Sequence, residues 1–176
     1  MNKKNLKLAP QESQIYSTLL NNMGFAPTRD QDWLFVVLSK FFLSRQPNCS
    51  LILSGYAGTG KTTCINSIVK SAEGIGLKPI LLAPTGRAAK VMSYYTKTPA
   101  HTIHRRIYKK SNAHGKVTFF PTEHRIKNAL FIIDEASMIS AESSMGQNLL
   151  DDLIEHVFSV DSAKLILVGD EAQLPP

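Results

Sequence analysis

Residues 55–62 read Gly55-Tyr56-Ala57-Gly58-Thr59-Gly60-Lys61-Thr62, the pattern G-x-x-x-x-G-K-[ST]. They directly follow the apolar run Leu51 to Ser54 and directly precede a helical pattern that begins near Lys61. Such a loop works only in that setting. Its glycines let the chain wrap until successive N–H groups point inward, and the start of the next helix adds its partial positive charge at the same place. The pattern therefore demands a strand, a loop and a helix in that order, with a triphosphate as the natural occupant.

The rest of the chain supplies a sheet for that loop. Four short runs, Leu51 to Ser54, Pro79 to Ala83, Leu130 to Ile133 and Lys164 to Val168, are rich in Leu, Ile and Val without polar alternation, as strands buried on both faces are. Helical patterns separate them. Lys61 to Ala72 turns Ile65, Ile68, Val69 and Ala72 inward, Gly86 to Tyr95 forms a second helix, and Gln147 to Phe158 carries Leu149, Leu150, Leu153, Ile154 and Val157. Alternation of this kind predicts a parallel α/β sheet with right-handed crossovers. Two helices precede it, over 11–23 and 31–45. The second repeats Trp33, Leu34, Val37, Leu38, Phe41 and Phe42 at three-and-four spacing behind Thr28 as its N-cap. His101 to Arg125 departs from the rhythm: Thr102 to Tyr108 reads as a short helix, and Lys116 to Phe120 as a strand reached through a turn around Asn112-Ala113-His114-Gly115.

Length and composition allow one ordinary core: 176 residues, 43% hydrophobic and 19% charged. No apolar run approaches the roughly 20 residues of a membrane span, and the N-terminus lacks the apolar segment of a secretory signal, so a cytoplasmic protein without a membrane partner is expected. Cys49 and Cys64 fit reduced core thiols. The net charge of +6 conceals a segregation: residues 51–130 hold thirteen bases and two acids, whereas 131–176 hold one base and nine acids. A basic block interleaved with Tyr94, Tyr95, Tyr108, Phe119 and Phe120 has the composition of a surface that tracks phosphates and stacks bases, and equally that of a solvated basic face.

The chemistry follows from the loop. Lys61 can reach the β and γ phosphates of ATP as a mobile point charge, Thr62 can ligate Mg²⁺, and Thr63 supports the loop. Leu130-Phe131-Ile132-Ile133-Asp134-Glu135 delivers two adjacent acids from the end of an apolar strand. Asp134 is placed to hold the Mg²⁺ shell and Glu135 to polarise an attacking water.

Five segments taken together resemble the N-terminal motor motifs of RecD-like superfamily 1 DNA helicases, over roughly residue 25 to the last residue. In order they are the phosphate loop, Ala83-Pro84-Thr85-Gly86-Arg87-Ala88-Ala89, Thr102-Ile103-His104-Arg105, Ile133-Asp134-Glu135-Ala136-Ser137-Met138 and Val168-Gly169-Asp170-Glu171-Ala172-Gln173-Leu174-Pro175-Pro176. The resemblance implies a P-loop NTPase with a RecA-like parallel sheet, ATP and Mg²⁺ as cofactors, single-stranded DNA as partner and 5′ to 3′ movement in complete relatives. It implies a helical region over 1–45 and a motor domain over 46–176, with a small basic excursion over 105–127 in the place of a β-hairpin. By the same resemblance Gln31 is the glutamine that reads adenine, while Gly55, Gly58, Thr59, Gly60, Lys61, Thr62 and Thr63 hold the nucleotide. Gln173 senses the γ-phosphate with Asp170 in support. Pro84, Thr85, Gly86, Arg87, Thr102, His104 and Arg105 touch DNA, although His104 also reads as a buried histidine bonded to its own backbone.

The sequence stops within Gln-Leu-Pro-Pro, so a second motor domain, which in the family supplies a transition-state arginine, is expected to be missing. The chain alone is then expected to bind nucleotide, hydrolyse it slowly and unwind nothing. Two other readings share the loop. A nucleotide kinase would need a lid with arginines and a pocket for a small acceptor, and the water-activating Glu135 and Gln173 speak against it. A non-catalytic module would use nucleotide only to regulate DNA affinity.

Overall fold

The computed structural model describes residues 7–113, 116–139 and 148–170. Two helices, α1 (Pro10–Met23) and α2 (Arg29–Leu43), lead into strand β1 (Cys49–Ser54), helix α3 (Lys61–Gly74), β2 (Lys78–Ala83), α4 (Gly86–Thr96), β3 (Ala100–Thr102) and the short α5 (Ile103–Ile107). An antiparallel hairpin of β4 (Tyr108–Ala113) and β5 (Lys116–Pro121) follows, then β6 (Ala129–Ile133), a 3₁₀ turn at Ala136–Met138, α6 (Leu149–Phe158) and β7 (Lys164–Gly169). The main sheet is parallel throughout in the order β1-β7-β6-β2-β3, and the hairpin stands apart from it.

Both faces of the sheet's centre are covered, and β6 shows how. Successive side chains of a strand point to opposite faces, so Leu130 and Ile132 join the core made with α1, α2 and α3, while Ala129, Phe131 and Ile133 join the one made with α5 and α6. The N-terminal helices thus share a core with the phosphate-loop helix. Ser67 Oγ on α3 reinforces it by donating to the Leu19 carbonyl of α1 at 2.6 Å.

Three departures from the expected pattern have physical causes. Strand β1 is not buried on both faces: Cys49, Leu51 and Leu53 pack on the core with α1, α2 and α3, but the core with α5 and α6 does not reach it, and Ser50, Ile52 and Ser54 are exposed, Ile52 to 75%. On α2 the deepest residue is Phe35, fully buried with Leu38, whereas Trp33, Leu34 and Val37 are half-buried, because the inward stripe runs through Phe35, Leu38 and Phe42. Ile154 of α6 faces solvent, and Leu149, Leu153 and Val157 carry its packing. Gln147 at the start of the Gln147 to Phe158 pattern, the His114-Gly115 turn and Gln173 lie outside the described residues.

The hairpin is fastened to α6 at both of its roots. Tyr108 Oη donates to Asp152 Oδ2 on the β4 side. On the β5 side, Thr122 donates from N and Oγ1 to the Ile107 carbonyl at 2.8 and 3.0 Å, and the Thr122 carbonyl accepts from His156 Nδ1. Asp152 and His156 are one helical turn apart, so one face of α6 holds both strands. Burial pushes the His156 pKa down, partly offset by its bond to Thr122, and the charge of Arg106 and the neighbouring His124 push it down further. A histidine that resists protonation in the fold loses stability as pH drops below its ordinary value of about 6.5. The melting temperature of the wild type is expected to fall between about pH 7.5 and pH 5.5. His156→Asn, which keeps a donor for Thr122 but does not titrate, is expected to flatten that fall in paired calorimetric scans.

Candidate functional site

A parallel sheet brings the C-terminal ends of its strands to one edge, where the following loops meet. Here that edge carries the phosphate loop after β1, Asp170 after β7, Asp134 and Glu135 after β6, Pro84 to Arg87 after β2, and α5 after β3. The order β1-β7-β6-β2-β3 divides the edge in two. The first three strands carry the residues expected to hold nucleotide, and the last two carry the residues the resemblance assigns to DNA.

On the nucleotide side, a cavity of about 350 Å³ is lined by Ala57, Gly58, Gly60, Lys61, Thr62, Asp134, Glu135, Gly169 and Asp170. A larger one of about 450 Å³ opens at the opposite end of the sheet, among Ser44, Asn128, Ser162 and Lys164, and holds none of these groups. The loop is shaped by its own bonds. Thr59 Oγ1 donates to the Tyr56 carbonyl at 2.8 Å, and Gly58 and Gly60 take φ values of 78° and 85°, where a side chain would be strained. A Cβ on Gly60 would also stand 2.7 Å from Gln31 Nε2.

Lys61 Nζ donates to the carbonyls of Gly55 and Tyr56, the latter at 2.9 Å, and lies 3.9 Å from Asp170 Oδ2, so the end of β7 is tied to the loop. Asp134 is fixed at both ends: its N–H donates to the Leu82 carbonyl of β2 at 3.0 Å, and its Oδ1 accepts the Glu135 N–H at 2.9 Å. Burial raises the Asp134 pKa from its ordinary value, only partly countered by the Glu135 N–H and the charge of Lys61. Glu135 itself sits at φ 53°, the left-handed region that non-glycine residues seldom occupy, a form of strain that clusters at functional sites. Thr62 and Asp134 offer hard oxygen ligands of the kind Mg²⁺ prefers, leaving its other positions to phosphate and water.

The raised Asp134 pKa has a consequence for stability. The ionised carboxylate is penalised in the fold at neutral pH, and the penalty fades as pH falls through the raised pKa. Asp134→Asn is therefore expected to raise the melting temperature of the nucleotide-free chain by about 2–4 °C, the size of a ~1 kcal/mol gain in a chain this long. The gap to the wild type should close toward acid pH, and calorimetry at two pH values checks both signs.

Of the remaining residues singled out from sequence, Gln31 lies against the loop: its Nε2 donates to the Thr59 carbonyl at 3.1 Å, while its Oε1 accepts the Thr28 N–H at 3.0 Å in a capping box that opens α2. Gly55 and Thr59 lie in the loop, and Thr63 is half-buried in the first turn of α3 outside the cavity lining. Thr85 and Thr102 are the N-caps of α4 and α5, accepting from Ala88 N at 3.2 Å and Arg105 N at 3.3 Å. Register places Ala83 beside Thr102, so the two helix starts lie next to each other with their free N–H groups at the sheet edge. Gly86, Arg87, His104 and Arg105 are exposed. His104 is thus not a buried histidine; its ring rests 5.7 Å from that of Tyr108.

The sheet and its phosphate loop define a P-loop NTPase of the RecA-like type. A family model described as an AAA domain matches residues 43–176. An ATP-dependent RecD2 DNA helicase from Deinococcus radiodurans is 36% identical over 129 residues, covering 72% of this chain and 16% of the relative. An uncharacterized protein of Methanocaldococcus jannaschii is 38% identical over 138 residues, covering 71% and 11%, and one of Acanthamoeba polyphaga mimivirus 29% identical over 158 residues, covering 77% and 31%. The chain thus spans at most a third of the length of these relatives. It belongs to the AAA domain family and is related to the RecD-like superfamily 1 helicases. Among the described residues, no helix is long and apolar enough to cross a membrane.

Proposed function

We propose that this chain is an ATP- and single-stranded-DNA-binding motor unit that serves 5′ to 3′ DNA unwinding. The observation that carries the reading is the division of one sheet edge: the Lys61, Asp134 and Glu135 cluster adjoins the two threonine-capped helix starts, and the Asp134 N–H bonds directly to Leu82, two residues before Pro84.

Each residue has a role that its position supports. The loop N–H groups and Lys61 bind the phosphates of ATP, and Gln31 reaches the loop from the adenine side. Thr62 and Asp134 hold Mg²⁺, which when bound neutralises charge on the phosphates. Glu135, beside Asp134 and facing the same cavity, orients and deprotonates a water for attack on the γ-phosphate. Gln173 follows Asp170 by three residues and is assigned to γ-phosphate sensing. Pro84, Thr85, Gly86 and Arg87, with Thr102, His104 and Arg105, receive the sugar-phosphate backbone of a single strand. The hairpin, with Lys109 paired across from Phe120 and Lys110 from Phe119, offers a basic and aromatic element beside that strand.

Among the described residues lining the cavity, Lys61 is the only base. Phosphoryl-transfer sites without an arginine at the transition state run about 10³ to 10⁵ slower, so hydrolysis by this chain is expected to be slow. The test is to supply ATP labelled at the γ-phosphate together with nucleoside and nucleoside monophosphate acceptors. Slow release of the label as inorganic phosphate, with none on an acceptor, supports the reading. Label transferred to an acceptor would identify a kinase instead.

A further inference from the structure

The outward face of α4 is unlike that of an ordinary surface helix. Ala88, Ala89 and Met92 pack inward, and the opposite stripe presents Arg87, Lys90, Val91, Tyr94 and Tyr95, with Tyr94 exposed to 69%, Tyr95 to 54% and Val91 to 48%. A solvated face ordinarily mixes charges of both signs. This one has no acid, and none occurs between Glu73 and Glu123, a stretch that holds nine Lys and Arg. Three large apolar side chains at helical spacing therefore lie open among bases only. The rings of Tyr94 and Tyr95 meet edge to face at 5.5 Å, and the Lys97 ammonium lies 4.3 Å over the Tyr94 ring, so a cation and stackable rings form one unit.

Composition selects the occupant. The cores of protein interfaces are depleted in Lys, whereas aromatic rings interleaved with bases suit a single strand, whose phosphates meet the cations and whose bases stack on the rings. Position agrees. The stripe begins at Arg87 in the loop after β2, and at 1.5 Å per residue it extends about 15 Å to Lys97, room for two or three nucleotides.

We propose that the outward face of α4 is a nucleic-acid-binding surface that continues the Thr85–Arg87 loop, with Arg87, Lys90 and Lys97 on phosphates and Tyr94 and Tyr95 stacking bases. It rests on the reading that this loop meets single-stranded DNA. The experiment compares anisotropy binding of a short oligonucleotide of about 6 nucleotides and a long one of about 16, the span of a typical single-strand site. It uses the 176-residue chain, a Tyr94→Ala/Tyr95→Ala variant and a Tyr94→Phe/Tyr95→Phe variant. Both tyrosines are exposed, so the fold tolerates the changes, and circular dichroism verifies this.

The alanine pair is expected to lose about tenfold on the long oligonucleotide and little on the short one, and the phenylalanine pair to stay within about twofold of wild type. Photocross-linking to 5-iododeoxyuridine should map to Tyr94 or Tyr95. Wild type binding the long oligonucleotide with the alanine pair unchanged overturns the α4 surface alone, as does cross-linking that maps elsewhere. Wild type binding neither oligonucleotide overturns the loop reading and this surface with it.

Discussion

Glu135→Gln is expected to lower the single-turnover hydrolysis rate by about 10²–10⁴ while leaving affinity for Mg²⁺-ATP within about twofold, the range of a lost general base. Glutamine matches glutamate in shape and keeps its backbone, so the left-handed turn that follows Asp134 remains available to it. What it cannot do is take a proton from water. Its side chain lines the cavity beside Asp134, whose bond to the Glu135 N–H fixes the backbone between them. Loss of binding and rate together would mean that Glu135 builds the site instead of acting in it. A rate equal to wild type would remove it from the mechanism.

Lys61→Ala is expected to weaken Mg²⁺-ATP binding by about 10²-fold, measured by calorimetric titration. A charge-assisted hydrogen bond is worth about 1.5–3 kcal/mol, and in the proposed role Lys61 would supply more than one to the phosphates. Its removal also acts on the neighbouring acid. The Lys61 charge lowers the pKa of Asp134, and burial raises it, so the variant should push that pKa higher still. Mg²⁺-dependent affinity should then decay at a higher pH in the variant than in wild type, because a protonated Asp134 cannot ligate the ion.

The site was legible in the sequence where local pattern and chemistry coincide. The phosphate loop and the Asp134-Glu135 strand end each carry their meaning within a few consecutive residues, and the sheet brings them together as the alternation of strands and helices predicts. Thr28 with Gln31 three residues later is likewise a local signal, and the structure shows the capping box that it implies. What local pattern cannot encode is a pairing between distant residues. Tyr108 with Asp152 and Thr122 with His156 fasten the hairpin to α6 across separations of 44 and 34 residues, and no periodicity marks them. Apolar runs announce strands but not which of their faces a helix covers: β1 packs Leu51 and Leu53 on the core with α1, α2 and α3, while Ser50, Ile52 and Ser54 lie on a face that the core with α5 and α6 does not reach. The depth of Phe35 escaped for a related reason, since a helix as apolar as α2 admits more than one inward stripe.

Coupled binding shows whether the two halves of the sheet edge act together. Fluorescence anisotropy of labelled single-stranded DNA would be followed over a salt series, with and without Mg²⁺ and a non-hydrolysable ATP analogue, for wild type and Lys61→Ala. The slope of log affinity against log salt counts the phosphates engaged, about 0.7 per contact for a single strand. Salt-sensitive binding that shifts with the analogue, and loses the shift in Lys61→Ala, is the predicted result. Binding that ignores the analogue would mean that the two halves of the edge are not coupled, and a folded, nucleotide-competent chain that binds no single strand at low salt would mean that the β2 and β3 ends do not meet DNA.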